Sequence, residues 1–202
     1  MRRFLDTRAL MAVETERFSL RPLTADDVND EYVSWWNDAE IQKGLNSPPR
    51  RWDRFRAYKH LSTFDSQYRF HLGIFCQDDG KLIGWHAVFI NPKARTAKSN
   101  IIIGDKSFWG KGVVFEVRRR VLEILFDELE LEKVKGEIIG RNYPSIFNYK
   151  QLGFSSEGVL RKDRPAVGGG RADVFLFGLL REEWAAIQGE CATQQERDTA
   201  AS

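Results

Sequence analysis

Three apolar, strand-like segments follow one another between residues 70 and 103 with only short turns between them. They run from Phe70 to Cys76, from Leu82 to Ile90 and from Lys98 to Ile103. The first two are separated by residues 77–80 (QDDG), a turn signal that predicts a hairpin. This succession predicts a sheet in which neighbouring strands pair antiparallel.

Helical segments interrupt the strands. The longest predicted helix runs from Val113 to Leu129, and its apolar residues recur at helical spacing. A helix over Asn142 to Leu152 has a proline near its start and Gly153 just after its end. Hairpin strands interrupted by helices predict a mixed, mostly antiparallel sheet in one α/β (α+β) domain. The other predicted elements are helical stretches near Val28–Trp36, Ala39–Leu45 and Arg51–Leu61, and strands over Phe18–Leu23, Lys133–Ile139, Ser155–Arg161 and Ala172–Leu180.

Both ends of the 202-residue chain offer few apolar residues that a core could bury. We therefore expect a flexible segment over residues 1–14, one domain over residues 15–187 and a disordered tail over residues 188–202. The length is that of one domain with a proper core.

Composition narrows the choice of partners and compartment. A net charge of +2 gives no broad field that favours nucleic acid or an anionic membrane. Cys76 and Cys191 lie far apart without metal-ligand spacing, so we expect neither a disulfide framework nor a metal site. No apolar run approaches the ~20 residues of a membrane span, and no export signal follows the basic start. These features predict a cytoplasmic protein.

A glycine-bearing turn precedes the longest predicted helix. Gly110 and Gly112 flank Lys111 there, and their missing Cβ atoms let a ligand approach the backbone closely. The free amides of a helix's first turn and the positive end of its dipole favour an anion such as a pyrophosphate. The spacing fits neither the Rossmann nor the P-loop pattern, and a plain turn into a helix is the alternative.

A polar stripe follows about thirty residues later. Asn142, Ser145 and Tyr149 stand at i, i+3 and i+7, so they share one helical face. The stripe is suited to a ligand lying between two strands. Alternatively, Asn142 caps the helix while the other two face water.

Together these motifs resemble the GCN5-related N-acetyltransferase (GNAT) superfamily, particularly the branch of ribosomal-protein N-terminal and amino-sugar acetyltransferases. The resemblance runs from Phe18 to Trp184. The matching pieces are residues 102–106 (IIGDK), 109–112 (WGKG) with Glu116, 142–145 (NYPS), 149–154 (YKQLGF), 157–161 (EGVLR), Asp173 and 183–184 (EW).

The resemblance implies a sheet splayed into a V between the strands that end at Ile103 and Ile139. Acetyl-coenzyme A is the implied co-substrate, and no metal is implied. Tyr149 is the implied general acid for the leaving thiol, with Ser145 as substitute or relay. The residues implied to hold the coenzyme are Ile102, Ile103, Trp109, Gly110, Lys111, Gly112, Val113, Val114 and Asn142.

On the acceptor side, Trp36 and Asn37 resemble the branch's aromatic and amide region, and His86 is added as a candidate substrate-binding residue. A core role for the tryptophan and a buried structural role for the histidine are the alternatives. The general base stays open among His86, Glu137, Asp105 and a water chain. The run Arg118–Arg120 is expected to be exposed surface.

The resemblance implies acetyl transfer from coenzyme A to a primary amine of a small molecule or amino sugar. The alternatives are an N-terminal acetyltransferase of the ribosomal-protein type and a non-catalytic coenzyme A-binding domain. A homodimer follows only by analogy with the fold.

Overall fold

A computed structural model of the chain describes residues 5–47 and 51–189. Within them, eight strands form one sheet. They are β1 (Val13–Glu14), β2 (Phe18–Pro22), β3 (Arg69–Cys76), β4 (Leu82–Asn91), β5 (Thr96–Ile103), β6 (Lys133–Ile139), β7 (Ser155–Pro165) and β8 (Arg171–Leu180). Their order across the sheet is β1-β2-β3-β4-β5-β6-β8-β7.

The β5–β6 pair is the one parallel junction of this sheet, and it is short. Its register runs from Thr96 opposite Lys133 to Lys98 opposite Lys135 and then stops. Beyond that point β5 stays paired with β4, and β6 stays paired with β8. The sheet therefore opens into the expected V between residues 99–103 and residues 136–139.

Helices cover both faces of the sheet. They are α1 (Asp30–Asn37), α2 (Ala39–Leu45), α3 (Arg54–Leu61), α4 (Val113–Glu123), α5 (Tyr143–Gln151) and α6 (residues 181–189). Asn29, Asp38 and Asp53 cap the first three through their side-chain oxygens. The predicted long helix is α4 followed by a π-helical stretch, Ile124–Glu128.

Two main hydrophobic cores result, one on each face, and a small third cluster contains Ile139, Ala172 and Val174. The larger lies between the sheet and α4 and includes Val117, Val121, Leu125 and Phe177. The smaller lies between the sheet and the helices α1 to α3 and is mainly aromatic, with Tyr32, Trp35, Trp36 and Trp85. We call the first the α4 face and the second the α1–α3 face.

The predicted mixed, mostly antiparallel sheet is confirmed, but several boundaries differ. Residues 7–14, assigned by the sequence to a flexible end, form a 3₁₀ turn and β1, and they bury Leu10 and Val13 in the core. Two buried apolar residues were too weak a signal to predict this. Residues 1–4 and the tail from residue 190 lie outside the described residues.

Among residues 5–47 and 51–189, no helix combines the length and apolarity required to cross a membrane.

Candidate functional site

The open edge of β5 forms one wall of the split. The carbonyl oxygen of Ser99 accepts a hydrogen bond from Tyr149 Oη at 3.2 Å, and that of Ile103 accepts one from Trp109 Nε1 at 2.8 Å. Backbone groups of alternate residues point to the same strand edge. Ile101 therefore directs its N–H and C=O into the split, whereas those of Ile102 point to β4. An extended ligand can add itself to this edge as a further strand.

The turn into α4 lies at the mouth of the split. Gly110 and Gly112 have φ values of +74° and +76°, a left-handed conformation that favours glycine. An added Cβ at Gly110 would meet nothing within 4 Å, so the turn faces open space. Among the described residues, no hydrogen bond uses the amides of Gly112, Val113 or Val114. The turn thus offers a row of donors at the positive end of a helix dipole.

Charged neighbours fix the position of this turn without removing the attraction of its free amides for an anion. Glu116, in the first turn of α4, accepts hydrogen bonds from Thr15 Oγ1 at 2.7 Å and from Arg17 N at 2.9 Å. The Arg17 guanidinium pairs with the same carboxylate at 2.7 Å and donates to the Lys111 carbonyl oxygen at 3.0 Å. Because Arg17 offsets the charge of Glu116, the amides keep their attraction for an anion.

Tyr149 stands at the vertex of the split. Its side chain is 3% exposed, and its hydroxyl bridges to β5 through Ser99. The ring passes directly over Gly136 of β6, where an added Cβ would lie 2.2 Å from Tyr149 Cε1. A side chain at residue 136 would displace the phenol, so Gly136 is a requirement of this placement. Sequence reasoning missed that pairing because it joins distant elements.

Asn142 and Ser145 lie at the start of α5, on the same face as Tyr149. The Asn142 side chain caps the helix by accepting from Ser145 N at 3.2 Å. Its amide nitrogen donates to the Gly44 carbonyl oxygen at 2.9 Å, which fastens the end of α2 to the split. Ser145 is half-buried, and no hydrogen bond among the described residues uses its hydroxyl.

Trp36 and Asn37 lie on the α1–α3 face. Trp36 is 8% exposed and stacks between Trp52 at 4.3 Å and Trp85 at 5.5 Å. The Asn37 side chain binds the backbone of Trp52 through both ends of its amide. Both side chains are therefore engaged in packing this face.

His86 lies on the opposite, α4 face, so the structure does not bring it together with Trp36 and Asn37. It is fully buried, and neither ring nitrogen has a partner among the described residues. Burial, followed by the charge of Arg118, lowers its pKa well below the usual value. The imidazole is neutral at physiological pH.

The two carboxylates considered as bases are held as ions. A hydrogen bond from Lys81 lowers the pKa of Asp105 to about 2. A hydrogen bond from Lys98 is the main cause that lowers the pKa of Glu137, and Arg164 adds to it. With His86 neutral as well, none of the three has a pKa near neutrality, which is where a general base works best.

Arg118 lies beside Tyr149, and its assignment to exposed surface from the sequence was wrong. Its neighbours Arg119 and Arg120 are half-exposed as expected, but Arg118 is buried at 4% exposure, with its guanidinium carbon 4.4 Å from the centre of the Tyr149 ring. The signal was present, because Val121, Leu122 and Leu125 follow it at i+3, i+4 and i+7. Arg118 therefore lies on the apolar face of α4.

Among the described residues, no group of three or more His, Cys, Asp or Glu side chains is arranged to hold a metal ion.

Several known proteins are similar to this chain in sequence or in fold. The chain is 29% identical to the uncharacterized N-acetyltransferase p20 of Bacillus licheniformis, over 85% of this chain and 97% of that protein. Among solved structures, spermidine N-acetyltransferase from Vibrio cholerae, in complex with CoA and spermine, superposes with a TM-score of 0.75 at 22% identity, covering 84% of this chain and 98% of that one. Ribosomal-protein-S5-alanine acetyltransferase from Vibrio fischeri superposes with a TM-score of 0.72 at 18% identity, covering 86% of this chain and 98% of that one.

A family model described as acetyltransferase (GNAT) domain matches residues 17–155, which is more than two thirds of the chain. The matched span contains the split, the glycine turn and Tyr149. The chain therefore belongs to the GNAT family of acetyltransferases, as its motifs predicted.

Proposed function

We propose that this chain transfers an acetyl group from acetyl-coenzyme A to a primary amine of a small molecule or an amino sugar. The single observation that carries the proposal is the split between β5 and β6, with an unpaired strand edge at Ile101 and the Tyr149 hydroxyl at its vertex. Membership of the GNAT family supports the same chemistry.

The chain offers groups suited to the pyrophosphate and to the pantetheine arm of the donor. The open amides from Gly112 to Val114 suit the pyrophosphate, and Lys111 adds a positive charge beside them. The edge of β5 suits the amide-bearing pantetheine arm, which pairs with the backbone of Ile101. Trp109 borders the mouth of the split. Asn142 remains a proposed contact along the arm, and Ser145 remains the proposed substitute or relay for Tyr149.

The proposed transfer is direct. The amine nitrogen attacks the thioester carbonyl, the C–N bond forms, and the C–S bond breaks with its electron pair on sulfur. Tyr149 gives its hydroxyl proton to the sulfur, and the amine loses a proton to water. Backbone amides of β5 polarise the carbonyl oxygen. A water route for the amine proton agrees with the low pKa values of His86, Asp105 and Glu137.

The acceptor side favours a compact amine over a long peptide. Asn46, at the end of α2, donates to the Pro165 carbonyl oxygen at 2.8 Å and accepts from Val167 N at 3.1 Å. Together with the Asn142–Gly44 bond, these contacts fasten α2 both to the β7–β8 hairpin and to the start of α5. An extended chain has to displace them to cross this side.

A panel of amines tests the proposal. Purified protein and acetyl-coenzyme A are mixed with free and nucleotide-linked amino sugars, polyamines, aminoglycosides and N-terminal peptides, and thiol release is followed. A reaction without protein serves as the blank for each amine. We expect turnover with an amino sugar or another small amine and little with peptides. Turnover with peptides alone supports the N-terminal alternative, and donor binding without any turnover supports a non-catalytic domain.

A further inference from the structure

Arg118 carries a buried positive charge that no described residue neutralises. The side chain is 4% exposed, and its Nε and Nη1 atoms find no acceptor among the described residues. Arginine stays protonated in proteins. Burying an unpaired ion is costly, so such a group persists where an anion meets it or where function requires it.

The position of this charge is specific. The guanidinium carbon lies 4.4 Å from the centre of the Tyr149 ring, a cation–π contact. The hydroxyl of that ring is at the vertex of the split, where it reaches Ser99. Arg118 is therefore placed behind the proposed acid, on the side away from the α1–α3 face.

The groups around Arg118 leave the charge uncompensated. From β4 it faces His86, which is neutral, and from α5 it faces Tyr149. On α4 itself, Glu116 is paired with Arg17, and Glu123 with Arg119 and Arg120. The nearest acid of β6, Glu137, belongs to the other face of the sheet and is bound by Lys98 and Arg164.

We propose that Arg118 stabilises the negative charge that forms at the vertex when the thiol of coenzyme A leaves, so that the protein binds coenzyme A preferentially as its thiolate. The inference rests on the proposed function. When the C–S bond breaks, the electron pair remains on sulfur; when Tyr149 gives its proton, the same unit of charge moves to the phenolate oxygen. Whether the negative charge is on the sulfur or on the phenolate oxygen, the Arg118 guanidinium stabilises it, because the protein interior screens charges poorly. Arg118 is a positioning residue, since it contacts Tyr149 rather than the reacting atoms.

The test compares two ligands that differ only at sulfur. Coenzyme A and S-methyl-coenzyme A are titrated into the protein by calorimetry from pH 6.5 to pH 9.5. Effects of pH on the phosphates and the lysines act on both ligands and cancel in the ratio of their dissociation constants. A free alkyl thiol ionises near pH ~8.5. If the bound thiol has a lower pKa than the free thiol, the ratio of dissociation constants favours coenzyme A increasingly as the pH rises from the bound pKa to the free pKa. The ratio changes by about tenfold for each pH unit between these two pKa values, and above the free pKa it levels off.

Three variants assign the effect to this charge. Arg118→Met removes the charge and keeps the apolar stem, and we expect a flat ratio with an unchanged or higher melting temperature, because an unpaired buried ion is lost. Arg118→Lys keeps the charge and should retain most of the rise. Arg120→Met removes a half-exposed arginine of the same helix that pairs with Glu123, and it should behave as wild type.

The outcomes separate this inference from the function on which it depends. If neither ligand binds, the proposed function fails as well. If both bind with a ratio that does not change with pH, or if the ratio still rises in Arg118→Met, the Arg118 inference alone is overturned. A fall in melting temperature of Arg118→Met with an unaltered pH response assigns the residue a purely structural role. Should that variant not fold, Arg118→Gln and Arg118→Lys carry the same comparison.

Discussion

The two faces of the sheet are built in different ways. On the α4 face, the site consists of backbone groups without partners, namely the edge at Ile101 and the amides from Gly112 to Val114, together with a buried cation at Arg118. On the α1–α3 face, the candidate residues are already engaged: Trp36 is stacked on two rings, and Asn37 binds the backbone of Trp52 at both ends.

This difference separates a face whose candidate groups lack partners from a face whose candidate side chains are already packed, although the buried Trp36 Nε1 also finds no acceptor among the described residues. Unsatisfied backbone donors and buried charges cost free energy until a partner meets them. Stacked aromatic rings and paired amides already contribute to stability. Substitutions on the α4 face should therefore change coenzyme A affinity and turnover, and those on the α1–α3 face should first change the free energy of unfolding.

The largest expected effect is that of Tyr149→Phe. Without the proposed general acid, turnover should fall by about 10²- to 10⁴-fold, while the KM for acetyl-coenzyme A changes little, because the ring still packs over Gly136. Steady-state kinetics with the best amine of the panel measures both. Tyr143→Phe is the matched control, since Tyr143 lies on the same helix but is exposed. An unchanged turnover in Tyr149→Phe removes the acid assignment.

Next in size is the cost of Trp36→Ala on the other face. Removing a buried ring that stacks on two others should lower the free energy of unfolding by about 3 to 5 kcal/mol, measured by urea unfolding. The affinity of the folded protein for coenzyme A should stay within about twofold of wild type, because the proposed donor site lies across the sheet. If stability is instead kept and only the acceptor's KM rises, Trp36 binds substrate, and the contrast between the faces is wrong.

A smaller effect is expected at the donor turn. Gly112→Ala places a Cβ at φ +76°, and the strain of about 1 to 2 kcal/mol should shift the amides and weaken coenzyme A binding by about tenfold. Gly80→Ala is the control, because Gly80 has a similar φ of +71° in the β3–β4 turn and no neighbouring atom within 4 Å. If both variants lose the same stability but only Gly112→Ala loses affinity for coenzyme A, the result supports the proposed role of this turn in binding the pyrophosphate. Equal affinities in both variants contradict it.

The smallest effect concerns Glu116. Burial by itself raises the pKa of this carboxyl, but the hydrogen bonds from Thr15 and Arg17 outweigh it and lower the pKa below its usual value of 4.5. A carboxyl with a lowered folded-state pKa stabilises the protein above the unfolded-state pKa, and this contribution is lost as the pH falls through the folded value. The melting temperature of wild type should therefore fall more than that of Glu116→Gln as the pH decreases below about 4.5. Parallel curves would show that the carboxylate contributes nothing here.

The same contrast explains what the sequence could predict. The glycine turn and the polar stripe of α5 are local patterns, so residues 110–112, 142, 145 and 149 could be proposed as site residues from spacing and resemblance, and the hairpin strands predicted the sheet. Other contacts arise between segments that are distant in the sequence. They are the packing of Tyr149 on Gly136, the burial of Arg118, and the hydrogen bond from Asn46 that ties α2 to the β7–β8 hairpin. Local spacing carries no direct signal for such contacts. The burial of Arg118 is the exception, because the apolar residues that share its face of α4 could have predicted it.

The most direct test of the account is a crystal structure with coenzyme A bound. We expect the pantetheine arm in the split, with its amide groups about 2.7 to 3.2 Å from the backbone N–H or C=O of Ile101, the pyrophosphate on the amides from Gly112 to Val114, and the sulfur beside the Tyr149 hydroxyl. Coenzyme A bound outside the split, with Tyr149 still closing the vertex against Ser99, would contradict it.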